Sequence, residues 1–383
     1  MAQAPLLKHL NERAVLDSIR SGAPISRAEI ARRTRISKPT VSLALQSLLD
    51  AGLVREAATG RDGPTYGAVY FEPVDEAAVV VGLDLGARFL RGAVCDLGGR
   101  IRGRQDVEVL RAHADGVVDT IEDLCRRVVA STGVDGAIDS VTVGAPGVVD
   151  TATGMLRLAE NVPGLEGTRF AEELRDRLGL PVTLENDVNL AALGERWRGV
   201  ARGVEDFVFI SVGTGLGAGL VLGGELHRGH HGAAGELDFA LGDGAAEADP
   251  SAPAVSALAT RLAAKADGRT RLVPPYDARD VFAAARAGDA VARQVIEEEA
   301  RRIALHVAPI AAVADVELVV LGGGLGANAD LLLAPIRATL STWLPFPPRI
   351  EVSSLGDAAI LTGALAVGLE TARENVFVSA RAR

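Results

Sequence analysis

The stretch from Asp206 to Glu236, DFVFISVGTGLGAGLVLGGELHRGHHGAAGE, sets Gly213, Thr214, Gly215, Leu216, Gly217, Ala218 and Gly219 between two apolar runs, the second closed by Gly223-Gly224. Glycine alone lets bare backbone amides approach a ligand without a Cβ in the way, and the amides of such a turn form a nest for an anion or a hydroxyl. A purely structural hairpin explains the same glycines equally well. Three other segments end an apolar run in small or polar residues: Val141 to Gly147, Glu185-Asn186-Asp187-Val188-Asn189, and Leu318 to Gly324. In open α/β sheets that is where ligands sit. A carboxylate at such a strand end can accept from two neighbouring hydroxyls, and an amide both donates and accepts. The competing reading of such residues is a cap or turn.

These residues need strands to present them. Ala77 to Leu83 reads as a buried strand ending in Asp84-Leu85-Gly86, followed by a strand from Phe89 to Asp96, a turn at Gly98-Gly99 and a third strand. The stretch from Asp206 repeats that layout, which predicts two similar lobes facing each other across a cleft. Helices around Gln294 to Ile310 and Ala358 to Thr371 serve either subunit contact or lobe hinge.

The first residues have a different character. Leu6, Leu7, Leu10, Ala14, Val15 and Ile19 fall at helical spacing, and Ser21-Gly22-Ala23-Pro24 stops that helix. Ser26-Arg27-Ala28-Glu29 is a capping box opening a second helix, Arg27 to Arg33. Thr34-Arg35-Ile36 makes a tight turn, then Ser37 caps a third helix with Pro39 in its first turn. Val41, Leu45, Leu48 and Leu49 form its apolar stripe, and Gly52 ends it. Two short helices joined by a tight turn form a DNA-reading helix-turn-helix, with Ser37, Lys38, Thr40, Ser42 and Gln46 toward the groove. Leu53 to Glu56 and Thr65 to Tyr70 add a wing whose loop carries Arg61, in reach of a phosphate or a narrow minor groove. The alternative is a small helical dimerisation module. Leu43 falls on the groove side, where a polar residue is expected; either it meets a thymine methyl or the helix is rotated.

At 383 residues and 48% hydrophobic composition, the chain is long enough for two or three domains with real cores. Residues 1–72 hold ten Lys and Arg against seven Asp and Glu, and the remainder holds 30 against 43. A mildly basic head on an acidic body fits a head that binds a polyanion. Cys95 and Cys125 are the two cysteines, so neither a disulfide framework nor a cysteine zinc site is expected, and a cytoplasmic setting fits. The start MAQAPLLKHLNERAV lacks the pattern of a signal peptide, and the apolar region from Ile303 to Gly326 carries His306, Asp315 and Glu317, so no membrane span is expected.

Taken in order, the segments DLG (Asp84 to Gly86), GAPG (Gly144 to Gly147), ENVPG (Glu160 to Gly164), ENDVN (Glu185 to Asn189), GTGLGAG (Gly213 to Gly219) and AGE (Ala234 to Glu236) resemble the ROK family of repressors and sugar kinases. The resemblance covers nearly the whole chain. It implies an α/β protein: an N-terminal winged helix-turn-helix, residues 1–75, followed by a two-lobed actin-like, hexokinase-like ATPase fold, residues 76–383. Lobe one would take about 76–190 with 358–383, and lobe two about 191–357. The resemblance further implies that Asn161, Asn186, Asp187 and Glu236 hold sugar hydroxyls. In kinase members the position of Asp187 is also the general base toward the γ-phosphate.

Three departures shape the functional expectation. The kinases' phosphate loop DLGGT is here Asp84-Leu85-Gly86-Ala87-Arg88, so Arg88 either plugs the pocket or meets a phosphorylated ligand. Phe239 stands where the family has a histidine that contacts sugar and zinc. The segment Leu241 to Pro250 has no thiol or imidazole, so the family's structural zinc is expected to be absent; His227, His230 and His231 read as a polar loop. The sequence therefore predicts a transcriptional repressor without kinase activity or metal, binding double-stranded operator DNA as a homodimer or homotetramer and sensing a sugar effector. Two-fold symmetry implies palindromic half-sites about one or two turns apart. The rivals are an active ROK-type ATP-dependent sugar kinase with an accessory head, and a DNA-binding protein with no effector.

Overall fold

The computed structural model describes residues 3–58, 68–109, 114–133, 137–159, 162, 164–239, 245–266 and 268–379. In the head, α1 (Gln3–Gly22) turns Val15, Leu16 and Ile19 inward, and β1 (Ile25–Ser26) leads into α2 (Arg27–Thr34). The Ser26 hydroxyl accepts from the Glu29 amide at 3.3 Å. The capping box is one-sided, however. The Glu29 carboxylate accepts from Arg32 and Arg33 at 2.7 to 2.9 Å instead of returning to the cap, since charge-assisted bonds outweigh one to a neutral amide. Arg35 takes the left-handed turn with φ 57, and Ser37 caps α3 (Lys38–Asp50), whose Val41, Ala44, Leu45 and Leu48 complete the head core.

Of the second wing strand expected over Thr65 to Tyr70, residues 65–67 lie outside the described residues, and the described strand runs from Tyr70 to Pro73. β2 (Val54–Glu56) pairs with β3 (Tyr70–Pro73), Glu56 facing Phe71 and Val54 facing Pro73. Phe71 is 2% exposed and belongs to the head core, and a one-residue slip would turn it outward, so its burial sets the register. Arg61 lies outside the described residues.

The body repeats one sheet plan twice. β4 (Ala78–Leu85), β5 (Phe89–Asp96) and β6 (Ile101–Glu108) form an antiparallel meander. After α4 (Ala114–Ala130), β7 (Ala137–Ala145) joins parallel to β4. A small ribbon, β8 (Val148–Val149) with β9 (Leu156–Arg157), and α5 (Phe170–Leu178) precede β10 (Val182–Asn186), which extends the sheet beside β7. Then α6 (Asp187–Arg198) crosses to the second sheet. There β11 (Phe207–Val212), β12 (Leu216–Leu222) and β13 (Glu225–Leu226) form the meander. The helices α7 (Ala245–Ala248), α8 (Ala252–Lys265), α9 (Ala278–Arg286) and α10 (Ala290–Ala314) follow. β14 (Leu318–Gly322) joins parallel to β11, and after α11 (Gly323–Gly326) and α12 (Ala329–Trp343), β15 (Arg349–Val352) takes the edge. The last element is α13 (Ala359–Ser379).

Each sheet is covered on both faces, and the covering helices decide how the lobes communicate. The outer face of sheet one packs on α4 and α5, and that of sheet two on α8 to α10 and α12. Between the sheets lie α13, packed on β4 and β5 through Leu361, Leu365 and Leu369, and α6, packed on Phe207, Phe209 and Val221. These two helices cross backbone to backbone: a methyl at Gly363 would run into the Leu190 carbonyl, and one at Gly194 into that of Ala359. α13 continues well past Thr371, the predicted end, because Ala372, Val376 and Phe377 find apolar partners distant in sequence. Phe377, 3% exposed, sits in the core of the head. Among the described residues no helix is long and apolar enough to cross a membrane.

Candidate functional site

A cleft of about 1050 Å³ opens between the sheets where their strands end. Asn186, Asp187, Pro146 and Gly147 line it from lobe one, and Gly213 to Gly217, Glu236, Asp238 and Phe239 from lobe two. Asn186 caps α6: its Oδ1 accepts from the Asn189 amide at 3.0 Å and its Nδ2 donates to the Gly147 carbonyl at 2.9 Å. The cap reading of Asn186 therefore holds, and one N–H and one lone pair remain for a ligand. Asp187 Oδ1 accepts from the Val188 amide at 2.8 Å. Burial pushes the Asp187 carboxyl up to about 7; the Val188 bond opposes this, and the charges of Asp84 and Glu236 add to it. Burial also raises Glu236, with Asp238 adding to the rise. Asn161 lies outside the described residues.

Glu185 organises this corner. It is 6% exposed; its Oε1 accepts from the Asn186 amide and from Asn189 Nδ2 at 3.0 and 2.9 Å, and its Oε2 accepts from Arg228 Nε at 2.6 Å. Arg228 precedes Glu236 on the loop after β13, and that loop is held again where the Thr151 hydroxyl donates to the His230 carbonyl at 2.8 Å. The strand that presents Asp187 is thus tied directly to the loop that presents Glu236.

The glycine-rich turn serves both purposes raised by the sequence. A Cβ at Gly213 or Gly215 would meet nothing nearer than 3.7 Å, so these glycines leave backbone open to the cleft. A Cβ at Gly219 would come within 2.7 Å of the Val188 carbonyl, and one at Gly217 within 3.1 Å of the Val188 side chain, so that half of the motif exists to seat α6.

At the Asp84 end of the cleft the sequence singled out the wrong arginine. Arg88 is 75% exposed and pairs with Glu108 at 3.1 Å, outside the cleft lining. Arg91, directly opposite Asp84 in the β4–β5 register, lines the cleft and donates from Nη1 to Asp84 Oδ2 at 2.8 Å. Asp84 is 2% exposed; burial raises its pKa and Arg91 opposes the rise. Phe239, 68% exposed, stands at the cleft wall. Of the segment from Leu241 to Pro250, residues 241–244 lie outside the described residues; beyond them His306 Nε2 meets the Ala248 carbonyl at 3.2 Å, and the Asp249 carbonyl accepts from Arg302 at 2.8 Å. Among the described residues no three His, Cys, Asp or Glu converge on a metal position.

On the head, Lys38 and Gln46 are exposed and Thr40 and Ser42 partly so, all on the solvent side of α3. Several are engaged within the helix: Ser37 with Thr40 at 2.8 Å, Ser42 donating to the Lys38 carbonyl at 2.9 Å, and Gln46 donating to Asp50 at 2.8 Å. Leu43 is 73% exposed while Val41 and Ala44 are buried, so Leu43 lies on the solvent face of α3. Sequence reasoning missed Arg91, the Glu185–Arg228 tie and Asp238. For Arg91 the signal was available: the hairpin after DLG places it across from Asp84.

The sequence matches the ROK family over residues 80–370 and the MarR family over residues 9–63. A xylose repressor from Caldicellulosiruptor bescii is 25% identical over 389 residues, covering 96% of this chain and 97% of that one. A glucokinase from Streptomyces coelicolor is 30% identical over 313 residues, covering 75% of this chain and 96% of its own. Among solved structures, a ROK family transcriptional regulator homologous to the E. coli MLC protein superposes with TM-score 0.80 at 22% identity, covering 98% of both chains. The ROK hexokinase from Thermus thermophilus has TM-score 0.64 at 31% identity, covering 77% of this chain and 99% of its own. A winged helix-turn-helix joined to a duplicated, kinase-like α/β body defines a DNA-binding transcriptional regulator. The chain belongs to the ROK family, with a MarR-type winged helix at its amino terminus.

Proposed function

We propose that the chain is a transcriptional repressor that binds a sugar or sugar-derived effector in the cleft and does not phosphorylate it. The observation that carries this reading is the continuity from cleft to head. Asp187 begins α6, α6 crosses α13 at Gly194 and Gly363, and α13 ends with Phe377 inside the head core. Glu195, buried in α6, accepts from the Val200 and Leu355 amides at 2.9 and 3.3 Å and from the Ser353 hydroxyl, which ties α6 to lobe two. A lobe closure that moves α6 is therefore transmitted to the head, and a coupling of about 1–3 kcal/mol suffices for a switch.

Asn186, Asp187 and Glu236 would take ligand hydroxyls, with Asn161 as a fourth contact. The Arg91 guanidinium on Asp84 competes with any divalent cation for that carboxylate, which supports loss of phosphoryl transfer. The head would read double-stranded operator DNA as a homodimer or a pair of dimers, without a metal cofactor. The second reading is a sugar kinase with an accessory head, favoured by a carboxyl at Asp187 poised near 7, where a general base works best.

Duplexes recovered from a random pool by the full chain, titrated with a panel of neutral and phosphorylated sugars with and without Mg-ATP, test both. Release of DNA by one sugar, lost in Asp187→Ala and Glu236→Ala, supports the sensor. ATP-dependent formation of a sugar phosphate, abolished in Asp187→Asn, would establish the kinase instead. DNA binding indifferent to every sugar would leave a constitutive binder.

A further inference from the structure

We infer that Leu43 reads the C5-methyl group of a thymine, so the head selects a methyl-bearing pyrimidine by apolar contact at the centre of its recognition face. The exposed stripe of α3 is Pro39, Leu43, Gln46 and Asp50, at the spacing of one helical face, with Val41, Ala44, Leu45 and Leu48 buried opposite. Leu43 is 73% exposed, so head packing does not account for a leucine there. Its neighbours bond within the helix: Ser42 to the Lys38 carbonyl at 2.9 Å, Gln46 to Asp50 at 2.8 Å, and Ser37 to Thr40 at 2.8 Å. The middle of the face is left with a branched hydrocarbon.

The major groove offers one projecting apolar group to such a side chain, the thymine methyl; the other groups that distinguish the bases there are donors and acceptors. Leucine opposite a cytosine amine or a guanine carbonyl would remove a polar edge from water with nothing in return. Against thymine it removes apolar surface from both partners, and one methyl group is then worth about a three- to tenfold change in affinity. The inference rests on the DNA-binding reading of the head and is independent of what the cleft binds.

The test uses the full chain and the duplex it selects from a random pool. That duplex is resynthesised with deoxyuridine for thymidine at one symmetric pair of positions at a time, which removes the methyl and keeps every hydrogen-bonding group. The expected result is one pair whose loss of methyl weakens binding about three- to tenfold per half-site at fixed salt. Leu43→Ala should bind the thymidine and deoxyuridine duplexes equally, with an unchanged thermal midpoint because the side chain is exposed. Methyl-insensitive binding at every position overturns the inference and leaves the head a DNA reader, as does a deoxyuridine penalty that persists in Leu43→Ala. A Leu43→Ala variant that changes oligomeric state without DNA assigns the residue to a protein contact and overturns it too. Failure to bind any duplex at low salt overturns both the inference and the DNA-binding reading.

Discussion

Arg13 on the first helix and Glu374 on the last form a two-pronged ion pair, Nη1 to Oε1 at 3.0 Å and Nη2 to Oε2 at 2.6 Å, across 361 positions of chain. One turn further along α13, Phe377 is buried in the head core, and the His9 ring lies 4.9 Å from its own. The exposed pair alone is worth at most about 1 kcal/mol, and truncating Phe377 about 3 kcal/mol. Phe377→Ala is therefore expected to leave sugar affinity at the cleft unchanged while shrinking the effect of sugar on operator affinity. Calorimetry for the first and fluorescence anisotropy for the second would check it. Undiminished coupling would remove α13 as the link.

The α6–α13 crossing tolerates no added methyl. Gly363→Ala, which pushes against the Leu190 carbonyl, is expected to cost about 1–3 kcal/mol in urea unfolding despite the better helix propensity of alanine. Thr371→Ala, exposed on the same helix, is expected to be nearly neutral. Equal stabilities would mean that the helices can separate at little cost.

Asp187 gives the protein a pH signature. Its folded-state value near 7 lies above the unfolded value of about 3.9, so the folded state holds the extra proton between them and stability falls as pH rises through that window. The decline attributable to this group is expected to be about 1–3 kcal/mol, and Asp187→Asn should flatten it. Ligand hydroxyls favour the carboxylate, so sugar affinity should rise from pH 6 to 8 with proton release, visible as a buffer-dependent binding enthalpy. A flat profile in both measurements would place Asp187 outside the binding site.

Arg91→Ala leaves Asp84 buried without its cation, and removing one partner of such a pair costs more than replacing both. A loss of about 2–4 kcal/mol at pH 7 is expected. It should be partly recovered toward pH 5, because the unpaired acid, with its pKa driven higher, regains its proton as pH falls. The double variant Asp84→Asn, Arg91→Leu should be closer to wild type than Arg91→Ala. Additive losses would show that the pair is not a unit.

On the DNA side, Lys38 stands exposed at the start of α3. Lys38→Ala is expected to weaken operator binding and lower the slope of log affinity against log salt by about 0.9, one counterion's worth. An unchanged slope would move the phosphate contact elsewhere.

Much of this architecture could be read locally. Caps at Ser26 and Ser37, the apolar stripe of α3 and the duplicated strand–glycine–strand layout depend on neighbours a few residues apart, and the structure repeats them nearly as written. The motif around Asp187 marked the cleft for the same reason: strand end, cap and helix start are one continuous stretch. What could not be read there was decided by register and by contacts between distant segments. Pleating and pairing turned Arg91, not Arg88, toward Asp84. The length of α13 depended on a head more than 300 residues away that receives Phe377, and β3 started at Tyr70 because Phe71 had to reach the same core. The proton affinity of Asp187 is set by surrounding protein that partly desolvates it and by the charges of Asp84 and Glu236, a property of the assembled cleft. Local sequence specifies which conformations and chemistries are on offer; only the packed chain determines which side chains share a space and how much water they keep.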